Sequence, residues 1–355
     1  MMTNITSKPI VTVIIPTYKR PQLLKRAIES VLHQTYPNFK ICIYDNASND
    51  STAEVIAKFQ RQDNRVFYHR QKKNIGAINN FNYGMRQVST PYFSLLADDN
   101  VILPDFLETG IESLKKYGEA IFFASQTIRM DERNNRLSGS LDKWKTGLVH
   151  PPNGIINILE KEIPIWDGVL FRRSVLNKVG YLNTDFNSSV DQDYMMRIAR
   201  YHTFYVLKKP GAIFYVHSNS WSTKLDLKIV VETLEKRLAP WLTDNDLPDE
   251  FKTRIYKSLK IRRDAAIRRF VLNDAIIGTK SSTIKSAIQI KSKYNDLSFK
   301  AIRIIYLAKI INYNSVIKKT ISNFMQFFIL FKHRFVFLKN LGKYREQSLI
   351  KNLYS

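Results

Sequence analysis

The stretch VIIPTYKRPQLLKRAIESVLHQTYPNFKICIYDNASNDST, residues Val13 to Thr52, contains two apolar runs separated by one helical pattern. The runs VIIP and FKICIYD have the character of buried strands, and PQLLKRAIESVLHQ has helical spacing from Pro21. STAEVIAKFQ then predicts a second helix, with Ser51 and Glu54 as a capping box. RVFYHR, AINNFNYGMRQV and YFSLLA continue the alternation as strand, helix and strand. The pattern predicts an α/β fold with a mostly parallel sheet flanked by helices.

Carboxylates close two of these predicted strands. Asp45 ends the second strand, and the adjacent Asp98 and Asp99 follow the fourth. In open sheets of this kind, ligands bind outside the carboxyl ends of the strands. Adjacent carboxylates repel unless a cation lies beside them, and Mg²⁺ and Mn²⁺ prefer oxygen ligands. The pair therefore predicts a metal or nucleotide site, and the alternative is a solvated turn that caps the helix after Pro104.

Composition indicates a globular chain of 355 residues with 44% hydrophobic residues. Cys42 is the single cysteine, which excludes an intramolecular disulfide and a cysteine-based zinc cluster. The opening MMTNITSKPIVTVIIP lacks the pattern of a secretory signal, and no run of 18 apolar residues occurs. We therefore expect a cytoplasmic protein that does not span a membrane. The G-x-G-x-x-G, P-loop, G-x-S-x-G and H-E-x-x-H motifs are all absent from the sequence.

Positive charge is concentrated at the C-terminal end. The chain carries a net charge of +24, and residues 251–355 contain 23 Lys and Arg against 4 Asp and Glu. The segment TRIYKSLKIRRDAAIRRFVL mixes this charge with a helical apolar pattern, which is typical of helices that bind an anionic bilayer surface. The alternative is a helical subdomain with solvated charges. The apolar residues near one side of the predicted helix are Ile255, Leu259, Ala266 and Phe270.

The segment from Val13 to Thr52 resembles the opening of family 2 glycosyltransferases, which have the nucleotide-sugar-binding GT-A fold. The matching marks are Pro16-Thr17-Tyr18 after the first strand, VLHQTYPNF at the end of the helix, and DNASNDST after the second strand. LLADDNVILPDFL resembles the acidic, metal-binding element of the same family. The resemblance implies a Rossmann-like GT-A domain in which this pair binds Mn²⁺ or Mg²⁺.

Two later segments extend the resemblance. WDGVLFRRSVLNKVGYLNTDF, residues 166–186, is similar to the family's Gly-rich strand, paired arginines and following Gly-Tyr turn. SSVDQDYMMRIARY matches the family's Glu-Asp-x-Asp element, with Asp191 at the position of the catalytic base and Val190 in place of the first acid. FYVHSNSWST places His217 after another strand, where similar enzymes have a His close to the metal. A lone His is also commonly structural.

The resemblance implies a role for each candidate residue. Asp45 would read the nucleotide base, Asp98 would lie near the ribose, and Asp99 would bind the metal. Asp191 would take the acceptor proton while the new bond forms on the face opposite the leaving group. Bond formation on that face inverts the anomeric centre. Tyr18 could instead be a surface aromatic, and Trp166 a core residue. The predicted nucleotide-sugar site is Pro16, Thr17, Tyr18, Arg20, Asp45, Lys73, Asn74, Asp98, Asp99, Asp167 and Gly168; the metal ligands are Asp99 and His217, and the acceptor residues Trp166 and Asp191.

These observations predict a GT-A domain over residues 1–223, followed by a basic helical region over 224–355. The predicted function is metal-dependent, inverting transfer of a sugar from a nucleotide-sugar donor, with a UDP-sugar favoured. The predicted acceptor is a saccharide or lipid-linked glycan of the bacterial cell surface, handled at the inner face of the cytoplasmic membrane. The alternatives are a non-catalytic glycan- or anion-binding protein on a degenerate transferase scaffold, and, less favoured, a nucleic-acid-binding module driven by the basic tail.

Overall fold

The structure, a computed structural model, describes residues 9–131, 133–216, 226–277 and 281–313. The chain divides into two compact units. The first contains residues 1–224 and 235–258, and the second contains residues 225–234 and 259–355. The predicted division into a GT-A domain (1–223) and a basic helical region (224–355) assigns a function to each part. The compact units do not test those functions, so the division stays a prediction.

Ten strands of the described residues form one mixed sheet. The order is β3-β2-β1-β4-β9-β6-β10-β5, with β7 beside β6 and β8 beside β10. The pairs β1–β2, β2–β3, β1–β4 and β6–β10 are parallel, and β9 pairs antiparallel with β4 and β6. The strands are β1 (Val11–Thr17), β2 (Phe39–Asp45), β3 (Val66–Arg70), β4 (Tyr92–Leu95), β5 (Val101–Ile102), β6 (Phe122–Asp131), β7 (Arg136–Gly139), β8 (Gly147–Val149), β9 (Val169–Arg172) and β10 (Phe204–Val216).

Eleven helices are described. Two short 3₁₀ turns, Trp166–Gly168 and Thr184–Ser189, precede β9 and α7. The helices are α1 (Pro21–Leu32), α2 (Thr52–Gln62), α3 (Ala77–Arg86), α4 (Phe106–Lys116), α5 (Asn153–Glu160), α6 (Ser174–Lys178), α7 (Val190–Tyr201), α8 (Leu227–Leu242), α9 (Asp249–Ile277), α10 (Ser281–Lys293) and α11 (Phe299–Tyr313).

The predicted alternation of strands and helices in the first half is confirmed. Every residue of β1 is buried, as expected for a central parallel strand covered on both faces. The register of β1 and β2 pairs Thr17 with Asp45, so both strands end at the same edge of the sheet. Alternate residues of β1 and the apolar face of α1 contribute to one core. That core includes Val11, Val13, Ile15, Leu24, Ile28 and Val31.

The predicted capping box at α2 is wrong. The Ser51 side chain makes no capping hydrogen bond. Asp50 replaces it, because its Oδ1 accepts from the backbone N–H of Thr52 at 3.0 Å and from the Thr52 hydroxyl at 2.5 Å. Ser and Asp are both good acceptors at helix starts, so the sequence pattern alone does not decide between neighbours.

The second unit is helical and has its own apolar core. The predicted stripe on α9 is correct at Ile255 and Leu259, but the stripe continues through Ile267 and Val271, while Ala266 and Phe270 are only half-buried. The buried apolar residues of α9 are spaced by four residues or a multiple of four. The predicted stripe departed from this spacing after Leu259. The core residues are Leu227, Val231, Ile267, Val271, Ile284, Ala287, Ile290, Leu297, Ala301, Ile305 and Ala308.

Two charged residues of α9 also lie inside the second unit. Arg263 is 3% exposed and forms an ion pair with Asp296, which Lys260 also approaches at 3.7 Å. Asp264 accepts the backbone N–H of Ser298 at 3.0 Å. Part of the positive charge of this region is therefore neutralised within the unit. None of the helices in the described ranges is both long enough and apolar enough to cross a membrane.

Candidate functional site

The acidic pair lies directly beyond β4. Asp98 is 6% exposed, and its Oδ2 accepts a hydrogen bond from the Thr17 hydroxyl at the end of β1, at 2.7 Å. Arg20, which immediately precedes α1, places Nη1 2.7 Å from Oδ2 of Asp99 and 3.3 Å from Oδ1 of Asp98. The structure therefore brings together four predicted site residues that are about 80 positions apart in sequence.

The backbone of this loop is held separately from its side chains. Arg26 on α1 donates from Nη2 to the carbonyl oxygen of Asp99 at 2.6 Å, and its guanidinium lies 3.9 Å from the ring centre of Tyr215. Asn100 accepts the backbone N–H of Tyr215 at its Oδ1, at 3.0 Å. The loop is thus fixed between α1 and β10, and the two carboxylates are presented in one orientation.

The environment of Asp98 favours its protonated form. Burial, with a further contribution from the charge of Asp99, raises the pKa of Asp98 to about 6. The hydrogen bond from Thr17 and the charge of Arg20 act in the opposite direction. The positive charge of Arg20 therefore offsets part of the rise in the pKa of Asp98 that burial and the Asp99 charge cause.

Asp167 supports the same loop from inside the protein. Its side chain is fully buried, and Oδ1 accepts the backbone N–H of Ala97 at 2.9 Å. Burial raises the pKa of Asp167 to about 7. A Cβ on the neighbouring Gly168 would lie 2.5 Å from Oγ1 of Thr127, so this position requires glycine. Asp167 and Gly168 are both buried, so they support this loop from the protein interior.

The loop after β2 is joined to the loop after β1. Asp45 is fully buried, with Oδ1 accepting from the N–H of Ser48 and Oδ2 from the Tyr68 hydroxyl, each at 2.9 Å. Ser48 in turn accepts the backbone N–H of Lys19 at 2.8 Å. The buried Pro16 lies in β1 just before these contacts. The predicted base-reading carboxylate is therefore part of a network that shapes the edge of the sheet.

Residues 73–76 close this edge. Oδ1 of Asn74 accepts from Nδ2 of Asn46 and from the N–H of Gly76, each at 2.9 Å. Gly76 has φ +83°, which a residue with a side chain adopts only with strain. It is the N-cap residue that precedes α3. Hydrogen bonds from the side chains of Asn74 and Lys19 lower the pKa of the exposed Tyr18 phenol. Lys73 is exposed beside this group.

The predicted acceptor residues are placed by other elements. Trp166 is half-buried in the 3₁₀ turn before β9, and its ring lies 4.8 Å from that of Phe81. Asp191 is half-buried in the first turn of α7, and its Oδ1 accepts the N–H of Gln192 at 2.7 Å. Burial raises the pKa of Asp191, whereas the Gln192 N–H and the charges of Arg237 and Arg129 act against this rise.

One buried amide connects α3 with the turn that leads to α7. Asn82 is 4% exposed; its Nδ2 donates to the carbonyl of Leu182 at 2.8 Å, and its Oδ1 accepts the Leu182 N–H at 2.9 Å. At the start of α7, Asp193 accepts from Nε of Arg197 at 2.8 Å. Asn82, Arg26 and Asn100 were not among the residues predicted from the sequence, where they resemble neighbouring polar residues.

The carboxylate oxygens of the acidic pair are suitable ligands for a hard divalent cation. Both groups are carboxylates, and the guanidinium of Arg20 already lies against them as a positive charge. Within the part of the chain that the structure describes, no group of three or more His, Cys, Asp and Glu gathers around one point. A cation held by Asp99 would therefore complete its coordination with ligand oxygens and water. His217, the second predicted ligand, lies outside the described residues.

A mostly parallel sheet that presents an acidic pair at the carboxyl ends of its strands has the GT-A architecture of nucleotide-sugar-binding glycosyltransferases. Residues 12–180 match the profile of Glycosyl transferase family 2. This match, which spans a little less than half of the chain, confirms the resemblance drawn from the motifs.

Several relatives match over a little more than half of the chain. An uncharacterised glycosyltransferase of Haemophilus influenzae is 26% identical over 198 residues, 54% of this chain and 61% of that protein. One from Methanocaldococcus jannaschii is 25% identical over 206 residues, 57% of this chain and 69% of that protein. One from Rickettsia conorii is 30% identical over 215 residues, but these form only 34% of that protein.

Solved structures share the fold at low sequence identity. TarS of S. aureus, residues 1–349 in complex with UDP-GlcNAc, has a TM-score of 0.60 and 15% identity, over 89% of this chain and 91% of that one. The mannosyltransferase PcManGT of Pyrobaculum calidifontis, in complex with GDP-Man and Mn²⁺, has a TM-score of 0.52 and 16% identity, over 91% and 86% of the two chains. These likenesses establish the fold.

Proposed function

We propose that the protein is an inverting glycosyltransferase that moves a sugar from a nucleotide-diphosphate donor to a saccharide hydroxyl group. The observation that carries the proposal is the acidic pair Asp98 and Asp99, which lies after β4 inside the family-matching region. Glycosyl transfer requires a stabilised leaving diphosphate and a deprotonated acceptor hydroxyl, held in line with each other.

A UDP-sugar is the donor that we favour. The TarS structures contain UDP or UDP-GlcNAc, and the Pyrobaculum mannosyltransferase contains GDP-Man. In this chain, the hydrogen-bonded loops after β1 and β2, together with residues 73–76, offer a polar edge for a nucleotide. Asp167 and Gly168 would act from beneath this edge. The residues assigned to the donor are Pro16, Thr17, Tyr18, Arg20, Asp45, Lys73, Asn74, Asp98 and Asp99.

The leaving diphosphate is the part of the reaction assigned to the acidic pair. A bound Mn²⁺ or Mg²⁺ would supply Lewis-acid stabilisation of the developing negative charge. Asp99 would hold the cation, with His217 as a second ligand, and Asp98 would lie near the ribose. Thr17 and Arg20 hold the two carboxylates in position through the contacts at 2.7 Å.

Asp191 is assigned the role of general base. Its place in the first turn of α7 allows the helix N-terminus to stabilise its ionised form, while burial raises its pKa. A base works best when its pKa lies near the working pH. For Asp191 the effect of burial exceeds the opposing effects, so its pKa is raised toward that range. As Asp191 takes the proton, the acceptor oxygen would bond to the anomeric carbon on the face opposite the diphosphate and the bond from that carbon to the diphosphate would break, which inverts the anomeric centre. Trp166 would offer an aromatic face to the acceptor sugar.

The proposed acceptor is a saccharide or lipid-linked glycan used in bacterial cell-surface glycan synthesis. The basic C-terminal region supports a place at the inner face of the cytoplasmic membrane, because residues 251–355 contain 23 basic residues against 4 acidic ones. Half-buried and exposed apolar side chains accompany the charge, and Phe299 is 73% exposed. Surface attachment would deliver the enzyme to a lipid-linked acceptor.

A non-catalytic glycan- or anion-binding protein is the second candidate. Val190, which is 4% exposed at the start of α7, stands where the resembling family has an acid. Loss of that acid would suit a scaffold that binds without turnover. This candidate predicts ligand binding that does not depend on a metal or on Asp99.

Calorimetry with UDP-, GDP- and dTDP-linked sugars, with and without Mn²⁺, tests the proposal. We expect one donor to bind only with Mn²⁺, the binding to be lost in Asp99→Asn, and the bound donor to be turned over with a saccharide acceptor. Asp105→Asn is the matched control, since this half-buried acid follows the same loop and its side chain pairs with Lys209 at 2.6 Å. Metal-independent binding without turnover would favour the second candidate, and no binding of any donor would refute the proposal.

A further inference from the structure

The segment 235–258 belongs to the first unit, although it lies beyond the family-matching region that ends at residue 180. It contains the second half of α8 and the start of α9. Three ion pairs hold this segment to the rest of the unit. They join Lys236 to Asp185 at 2.7 Å, Asp244 to Arg200 at 2.9 Å, and Arg254 to Glu160 at 2.7 Å.

Two of these ion pairs position the segment beside α7. Asp185 lies in the 3₁₀ turn that leads into α7, and Arg200 lies in the last turn of that helix. The segment 235–258 is therefore fastened near both ends of α7, the helix that begins with Val190 and Asp191. Arg237 is the next residue after Lys236, which pairs with Asp185.

Arg237 lies on the buried side of α8. It is 3% exposed, next to Leu238 at 0% and one turn beyond Leu234 at 6%. A guanidinium cannot be deprotonated in a protein, and a charge buried to this extent requires opposite charge nearby. Asp191 and Asp193, both in the first turn of α7, lie within the electrostatic reach of Arg237.

These two acids differ in their other partners. Asp193 already has a close cation, because Nε of Arg197 lies 2.8 Å from its Oδ2. Asp191 accepts the Gln192 N–H and lies within the influence of two cations, Arg237 from α8 and Arg129 from β6. Arg129 shares its charge with Glu162 at 2.7 Å, and of the two cations Arg237 has the larger effect on Asp191.

We propose that Arg237 is a positioning residue for the glycosyl transfer, which holds the Asp191 carboxylate ionised and oriented from a helix outside the family-matching region. This inference rests on the proposed function for the role of Asp191 as the base. The family region thus supplies the base, and the C-terminal segment supplies the charge that keeps the base able to accept a proton.

The first test measures Asp191 directly. ¹³C-labelled aspartate is titrated by NMR in the full chain, and the Asp191 signal is assigned by its loss in Asp191→Asn. In Arg237→Gln we expect the pKa of Asp191 to rise by about one unit or more, since a nearby opposite charge accounts for shifts of that size. Lys228→Gln is the matched control, because it removes an exposed charge from the same helix and should leave the Asp191 titration in place. An unchanged Asp191 titration in Arg237→Gln would overturn the proposal.

The second test uses turnover. In Arg237→Gln we expect kcat to fall at least about tenfold below the shifted pKa, with the acid limb of the pH profile moved to higher pH and the KM for the donor retained. Arg237→Lys keeps the charge and should restore most of the profile. A wild-type protein without transferase activity would refute the proposed function and leave the NMR result to decide the coupling. Unchanged kcat and pH profile in an active Arg237→Gln enzyme would refute the positioning role alone.

A measurement from the other partner applies even if Arg237→Gln does not fold. Asp191→Asn leaves the buried Arg237 with less opposite charge, so it should lower the free energy of unfolding more than Asp185→Asn does. Asp185→Asn removes the exposed carboxylate that pairs with Lys236. Equal or smaller destabilisation by Asp191→Asn would contradict the coupling.

Discussion

Arg20 bridges the acidic pair, and its Nη1 is closer to Asp99, at 2.7 Å, than to Asp98, at 3.3 Å. The protein thereby supplies a counter-charge to Asp99, the carboxylate that we propose as a metal ligand. The Arg20 side chain is 31% exposed, so the ion pair is only partly shielded from water. A cation that binds Asp99 has to compete with the guanidinium for it.

Removal of this competitor should strengthen metal binding. In Arg20→Ala we expect the affinity for Mn²⁺ without nucleotide to rise about two- to fivefold, the range set by a partly exposed ion pair of up to about 1 kcal/mol. Calorimetric titration with Mn²⁺ measures the change. Lys25→Ala, which removes an exposed cation from α1, is the control and should leave the affinity unchanged. Weaker Mn²⁺ binding in Arg20→Ala would show that Arg20 orients the pair rather than competes for it.

The buried Asp167 predicts a pH-dependent stability. Its pKa of about 7 in the folded protein lies above the ordinary value of about 4 for Asp, so the fold favours the protonated form. Its stabilising contribution is complete below about pH 4 and is lost as the pH rises through about 7. Asp167→Asn cannot ionise and keeps an acceptor for the N–H of Ala97.

We therefore expect Asp167→Asn to unfold with a weaker dependence on pH between about 4 and 7, and to exceed the wild type in stability at pH 8 by up to about 4 kcal/mol. Urea denaturation at a series of pH values measures both effects. Asp246→Asn, at an exposed acid, should follow the wild-type curve. A parallel pH dependence in Asp167→Asn and the wild type would contradict the assignment.

Much of this site could be predicted from local sequence. The apolar runs, the helical spacing and the polar residues that end β1, β2 and β4 identified the edge of the sheet at Thr17, Asp45 and Asp98. These signals are local because each strand buries its own apolar residues, and parallel strands expose their carboxyl ends on one side.

The remaining contacts depend on the tertiary structure. Arg26 reaches the backbone of Asp99 from a helix 73 positions away, and Asn82 binds Leu182 across 100 positions. Nothing in the local pattern distinguishes these polar side chains from solvated ones on the same helices. Arg263 is similar, because its helical pattern predicts solvent exposure, whereas in the fold it pairs with Asp296 and lies 4.2 Å from the ring centre of Tyr294.

The Asn82 clamp should contribute strongly to stability. Asn82→Ala leaves both backbone groups of Leu182 buried without this partner, so we expect a loss of about 2–4 kcal/mol in the free energy of unfolding. Asn79→Ala is the matched control on the same helix, because Asn79 is exposed and makes one bond to the carbonyl of Ile75 at 2.9 Å. Its loss should stay below about 1 kcal/mol. Equal values for the two variants in urea denaturation would contradict the proposed importance of the clamp.

Membrane attachment can be tested by truncation after Tyr313. This keeps α11, whose Ala301, Ile305 and Ala308 lie in the core of the second unit, and removes residues 314–355, with eight basic residues against one acidic. We expect binding to anionic vesicles to fall at least tenfold, since each basic residue near the surface contributes about 1 kcal/mol. Nucleotide-sugar affinity should be retained. Vesicle sedimentation measures the binding, neutral vesicles are the control, and undiminished binding would refute a role for this segment.

The segment between β4 and β5 also limits the shape of the sheet. In strand order, β9, β6 and β10 lie between β4 and β5, so a flat sheet would separate these two strands by four spacings, or about 19 Å. The six steps from Leu95 to Val101 reach about 21 Å only when fully extended, and the turn in which Asn100 N–H donates to the carbonyl of Ala97 shortens that reach. The sheet must therefore curl to bring β5 within range. The loop that carries Asp98 and Asp99 has little spare length. Adding or removing a residue there would therefore disturb the position of β5 more than replacing one side chain by another.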